Sequence, residues 1–325
     1  MKFGAVLAAL LAAMFHSAPA AAASFDCAKA SSAREKTVCA DPALSGADEG
    51  IAASYAAARA ALSPEGAELM RKSQRSWLRF LDKACPDGAA ACLAPWYEER
   101  AKALAEAVTE KSGRTFFVSD DWTFIAAEKP GEEEFPGENA MQYRQQMSFG
   151  IDAAASQGDR AFNAAVEKHR DYLWNGFDGA TTMNTGFTLN EATENFVSLD
   201  IFGWEYPLGA AHGFGAATHL NFRLDEARPL AAADIFAKDG WQQLLADNAL
   251  EELTLIFGEM GLFDEAGQAI AGMVADPEHW VVTKEGLGVN FPVYSVGPYA
   301  GGDNTVMTSW DKLAPWLAED AVIGR

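Results

Sequence analysis

With 325 residues the chain has room for two cores, and 25 Lys+Arg against 46 Asp+Glu leave it a net charge of -21. That field repels nucleic acid and anionic lipid headgroups, so no nucleic-acid partner is expected. Residues 24 to 110 carry 11 basic against 13 acidic side chains and residues 111 to 325 carry 13 against 33, which places a net -20 on the second stretch. There it either keeps the chain soluble or steers a cationic partner.

Met1-Lys2 is a short positive start, Phe3 to Phe15 is an apolar run too short to span a bilayer, and Ala18 to Ala23 offers small residues for cleavage. Residues 1–23 are therefore expected to be a signal peptide. Cys27 follows Ala23-Ser24-Phe25-Asp26 rather than the aliphatic and small residues of a lipoprotein cleavage site, so soluble export is expected, most simply to a bacterial periplasm. No later stretch approaches the roughly 18 apolar residues of a membrane span.

All four cysteines, Cys27, Cys39, Cys85 and Cys92, fall between residues 24 and 110, the pattern of a disulfide framework in a small exported unit. Asp41-Pro42 can cap a helix with Leu44, Ala47, Ile51, Tyr55, Ala58 and Leu62 on one face. Ser63-Pro64 repeats the cap before Leu69, Ser73, Trp77, Phe80 and Ala84, and Leu93, Tyr97, Ala101, Leu104 and Val108 make a third stripe. An antiparallel bundle gathers the cysteines at one pole. Three connectivities are possible; the local pairs Cys27 with Cys39 and Cys85 with Cys92 are preferred. Trp77 and Tyr97 read as core, and Arg75, Arg79 and Arg100 as surface, ion-pair or binding candidates.

Residues 111–325 contain no cysteine and read as a second unit. Thr115 to Val118 and Trp122 to Ile125 are predicted strands, followed by a Pro/Gly/Glu-rich loop at Lys129 to Asn139 in which Glu132, Glu133 and Glu134 are expected to be solvated. Asp159 opens a helix with Phe162, Val166, His169 and Leu173 on one side. Phe187 to Leu189, Asn195 to Trp204 and Leu220 to Leu224 read as strands, the last with period-two alternation. A helix follows over Trp241 to Phe257, and Trp280 to Thr283 is expected to pair with Val289 to Tyr294 across Lys284-Glu285-Gly286. The fold class is α+β: a small disulfide-stapled helical bundle followed by a larger mixed sheet-and-helix domain.

His212 sits between small residues with no nucleophile beside it, and His169, His219 and His279 lack metal-ligand spacing. A loop-shaping role is favoured over partner contact, and catalysis is disfavoured because a general base needs an oriented partner. No Ser/His/Asp set, phosphate-cradling glycine loop or basic stripe can be assembled. No enzyme activity, cofactor or metal is expected.

The blocks Ser24-Phe25-Asp26-Cys27-Ala28-Lys29-Ala30, Glu35-Lys36-Thr37-Val38-Cys39-Ala40-Asp41, Gln74-Arg75-Ser76-Trp77-Leu78 and Cys92-Leu93 to Tyr97-Glu98-Glu99-Arg100 stand in order. Together they resemble the N-terminal domain of the LprI lysozyme-inhibitor family. In the second unit, Trp204 to Gly213, Leu220-Asn221-Phe222, Pro229-Leu230, Asp234-Ile235-Phe236, Phe291 to Tyr294, Gly297 to Gly302 and Ser309 to Leu313 form a set similar to the extracellular domain of RsiV, and to a related domain beside some peptidoglycan deacetylases. Usual members have two glycines before Ala-His-Gly; here the first is Gly209 and the second is replaced by Ala210.

The resemblances imply a lysozyme-binding protein that inhibits lysozyme or a related cell-wall glycosidase and so shields the wall. RsiV signals through a membrane helix, which this sequence does not offer, so a direct anti-sigma role is not expected. Tyr206, Gly209, His212 and Gly213 with Tyr299, Gly301, Gly302 and Asp303 are the expected contact loops. The alternative is a peptidoglycan-associated module, binding glycan or assisting a wall-modifying enzyme, with Trp204, Tyr294 and Tyr299 stacking on sugars.

Overall fold

The computed structural model describes residues 23–125, 142–174, 181–207, 210 and 212–323. The expected signal peptide, apart from its last residue, Glu132 to Glu134 and Gly209 lie outside the described residues.

Four helices form the first unit: α1 (Ala33–Ala40), α2 (Pro42–Ala61), α3 (Pro64–Ala84) and α4 (Ala90–Ala105). The first three start where their chemistry directs. Ser32 and Glu35 close a capping box on α1, and the Asp41 and Ser63 side chains accept from the first-turn amides of α2 and α3, each with proline in the first turn. Val38, Leu81, Leu93, Trp77 and Tyr97 are buried together, the last two edge to face at 5.5 Å. Cys27 pairs with Cys39 and Cys85 with Cys92, the preferred connectivity.

Val108 does not belong to the third helical stripe. The helix α4 stops at Ala105, and the β-branched pair Val108-Thr109 opens β1 (Val108–Lys111), which turns through Ser112 and Gly113, both at positive φ, into β2 (Arg114–Ile125). The two short strands expected at 115–118 and 122–125 are one continuous strand.

Seven strands follow one another in sequence order across the main sheet: β1, β2, β3 (Gln142–Ile151), β4 (Thr181–Ala192), β5 (Phe196–Pro207), β6 (Phe214–Arg223) and β7 (Arg228–Pro229). All neighbours are antiparallel except β3 and β4, whose pairing is parallel and restricted to Arg144 with Met183 and Gln145 with Asn184. The crossover between them carries α5 (Gln157–Trp174), which buries Phe162, Val166 and Leu173 against Leu199, Ile201, Leu220 and Phe222.

A second layer holds α6 (Trp241–Phe257), α7 (Ala266–Ala275) and a three-stranded sheet of β8 (Trp280–Val282), β9 (Gly286–Phe291) and β10 (Asn304–Ser309). Its core joins Trp241, Leu253, Phe257, Ile270, Val274, Trp280 and Phe291. The second strand of the expected hairpin begins earlier, at Gly286, and ends at Phe291 because Pro292 follows and Tyr294 is left-handed. Nor does β6 alternate. Leu220, Asn221 and Phe222 are all buried, because α5 covers one face and the β8 layer the other, where Asn221 Nδ2 donates to the Trp280 carbonyl at 2.7 Å.

The helical unit docks on β2 and β3. Phe80 and Trp96 pack against Trp122 and Tyr143, with Phe80 to Trp122 at 4.9 Å and Trp96 to Tyr143 at 5.4 Å.

Candidate functional site

Two loops far apart in sequence meet at the end of the β5–β6 hairpin. Register pairing carries β5 and β6 out to Glu205 opposite Phe214, and beyond it Tyr206 Oη donates to the Ala210 carbonyl at 2.8 Å. Gly213 crosses directly over the Trp204 indole; a Cβ there would lie 2.4 Å from the ring, so a side chain is excluded. The Gly213 carbonyl accepts from His212 Nδ1 at 3.0 Å and from Tyr299 Oη at 3.2 Å, which ties the first loop to the second.

The His212 ring also stacks on Tyr299, with centroids 4.6 Å apart and 25° between planes, and Tyr294 lies 5.4 Å from Tyr299 on an exposed, left-handed backbone at φ 64°. A non-glycine residue held in that region is strained. The second loop needs its glycines for shape: a Cβ on Gly301 would enter the Phe257 ring at 2.1 Å, and Gly302 has φ 78°. The Asp303 carboxylate accepts from Asn290 Nδ2.

Between the loops and the sheet lies an open groove of about 640 Å³. Asn184, Phe202, Trp204, Val293, Tyr299 and Asp303 line it. The structure thus brings together Tyr206, His212, Gly213, Tyr299, Gly301, Gly302 and Asp303. Sequence reasoning missed Asn184 and Phe202. For Phe202 a signal exists: Phe202, Trp204 and Tyr206 recur at the period of a strand, and one face of β5 carries all three.

Of the three arginines singled out, Arg75 and Arg79 are exposed on α3, and neither lines the groove. Arg100 is a correction as a binding candidate: it is buried, because it is consumed in an ion pair with Asp120 of β2. Nη1 reaches both carboxylate oxygens at 3.0 and 3.1 Å, Nη2 donates to Ser73 Oγ at 2.9 Å, and Nε donates to Gln74 Oε1 at 3.0 Å. Asp120 also accepts from Ser73 Oγ, from Trp122 Nε1 at 2.8 Å and from Gln145 Nε2 at 3.2 Å. Burial pushes the Asp120 carboxyl up, but the Arg100 charge and these hydrogen bonds together outweigh it and hold the group below its usual range. A cavity of about 490 Å³ adjoins this network, bounded by Trp96, Trp122, Met147 and Phe202 among others.

The histidine of β6 is held structurally: His219 Nδ1 donates to Asp200 at 2.6 Å across the β5–β6 pair. Among the described residues no three His, Cys, Asp or Glu side chains converge as metal ligands, and no helix is long and apolar enough to cross a membrane.

Residues 27–104, the disulfide-stapled helices, match the family described as lysozyme inhibitor LprI. The match spans about a quarter of the chain. Among curated proteins no match is found. Two solved structures are similar in part. A DUF3298 family member from Bacteroides fragilis is 17% identical with a TM-score of 0.47, covering 66% of this chain and 98% of its own. A DUF3298 family protein from Pseudomonas aeruginosa is 11% identical with a TM-score of 0.43, covering 65% and 97%.

Proposed function

We propose that this chain is an exported, periplasmic lysozyme-binding protein that inhibits the enzyme and shields the cell wall. One observation carries the reading: the match of residues 27–104 to the LprI lysozyme inhibitors, over a unit whose disulfides, caps and Trp77–Tyr97 core form a complete bundle. The two disulfides suit an oxidising compartment. Part of the set resembling RsiV, including Tyr206, Gly213 and Tyr299, belongs to the two loops joined at His212 and Tyr299, which supports them as the contact surface. The net -20 of residues 111–325 favours encounter with a basic lysozyme, and a loop seated in its cleft would cover the two catalytic carboxylates.

The test is turnover of a cell-wall suspension by a basic, animal-type lysozyme with increasing amounts of the purified chain. Dose-dependent slowing, with a 1:1 complex detected by light scattering, is expected. Unchanged turnover at large molar excess, with no complex, overturns the reading.

A further inference from the structure

The two cavities share one lining side chain. Phe202 lines both, and the register partners Gln145 and Asn184 stand side by side across the β3–β4 junction, Gln145 on the first cavity and Asn184 on the second. The combined trough runs from Tyr299 and Asp303 of the loops, over the sheet, to Trp96 on α4, so both units build its walls. A trough crossing two units suits an extended chain rather than a compact ligand.

Its chemistry narrows the chain. Phe202, Trp204 and Tyr299 supply aromatic surfaces, and Phe202 and Trp204 remain 41% and 37% exposed although each is large and apolar, while Trp96 and Trp122, packed with Phe80 and Tyr143, close the far end. Flat apolar rings flanked by polar groups match sugar rings, which present C–H faces and hydroxyl edges. A carboxamide both donates and accepts, as an acetamido group does; Gln145 and Asn184 place two of them at the middle of the trough, and the donation from Gln145 to Asp120 fixes one. The charges along it are Glu99, Glu106 and Asp303 against Lys102, with Arg100 and Asp120 neutralising each other, so an anionic polymer is repelled.

From these observations we infer that the trough binds an extended, uncharged, N-acetylated glycan strand. The inference is independent of lysozyme binding and is tested in its absence.

The experiment is calorimetric titration of the full mature chain with a β-1,4-linked N-acetylglucosamine hexamer and, separately, with the monosaccharide. Saturable binding of the hexamer, at least tenfold tighter than the monosaccharide, is expected. Trp204→Ala and Asn184→Ala should each weaken the hexamer at least tenfold, while Leu255→Ala, 71% exposed on α6 and outside the trough, should leave it unchanged. Should Trp204→Ala fail to fold, Asn184→Ala decides alone. Absence of saturable hexamer binding, equal affinity for the monosaccharide, or undiminished affinity in a folded Asn184→Ala variant overturns the inference.

Discussion

Arg100 on α4 and Asp120 on β2 form an ion pair 3.0 Å apart, with 3% and 5% of their side chains exposed, and this pair fastens the helical unit to the sheet. Removing one member leaves the other charged and dry. Arg100→Ala or Asp120→Ala is expected to cost about 3 to 5 kcal/mol, and the double variant less than the sum of the two. Urea denaturation of the four proteins is the measurement; strict additivity would mean that the pair is not coupled.

The disulfides act on one side of that junction. Reduction should lower the stability of the helical unit by about 2 to 4 kcal/mol for each bridge lost, while residues 142–323 keep their slow amide exchange. Cys27–Cys39 matters most for α1, whose buried residues are only Arg34 and Val38. Hydrogen exchange before and after reduction reads this out, and uniform loss of protection across the chain would contradict it.

Acid should strike both the helical unit and its junction with the sheet. Backbone hydrogen bonds from Ser32 and Ser31 hold the Glu35 carboxyl down to about 2 from its ordinary 4.5, and Asp120 is also depressed. For a depressed carboxylate the stabilisation is complete above the unfolded value and fades as pH falls through the folded one. Stability is therefore expected to be flat in these groups above about pH 5 and to fall progressively from there towards pH 2. Glu35→Gln should flatten part of that fall, as thermal midpoints between pH 2 and 6 would record.

Salt and loop chemistry should separate in the kinetics of the proposed lysozyme binding. Raising ionic strength should slow association, because exposed charges are screened beyond about 8 Å at physiological salt, and should leave dissociation nearly unchanged. His212→Ala removes the stack on Tyr299 and one of the two donors to the Gly213 carbonyl, so it should mainly speed dissociation. Stopped-flow binding across a salt series distinguishes the two; an association rate indifferent to salt would leave the acidic charge as a solubility feature.

The sequence signalled what is local. Asp41 and Ser63 announced their helices through side chains that act within three residues, and Trp77 and Tyr97 lay on stripes that the bundle buries. The short helix α1 escaped notice because its eight residues bury one apolar side chain, Val38, too few for a stripe. Alternation misled at Asn221, since a strand covered on both faces has no outer side. For Arg100 the sequence left surface, ion-pair and binding roles open, because its ion-pair partner, Asp120, belongs to the next unit, and a charge pair between units leaves no periodic trace. The same limit hid Asn184, which reaches the loop site only through strand register.

The β3–β4 seam divides the main sheet into two meanders, each closed by local antiparallel pairing and joined, among the described residues, by two register pairs and by the Met147 amide donating to Thr185 Oγ1 at 2.8 Å. Such a seam is the natural border between cooperative opening units, so the strands on either side should separate in rare sub-global openings before either meander frays. Gln145 and Asn184, where the proposed trough crosses the border, are part of that seam. A bound strand would span the border like a splint, and its occupancy would register as slowed exchange of the seam amides.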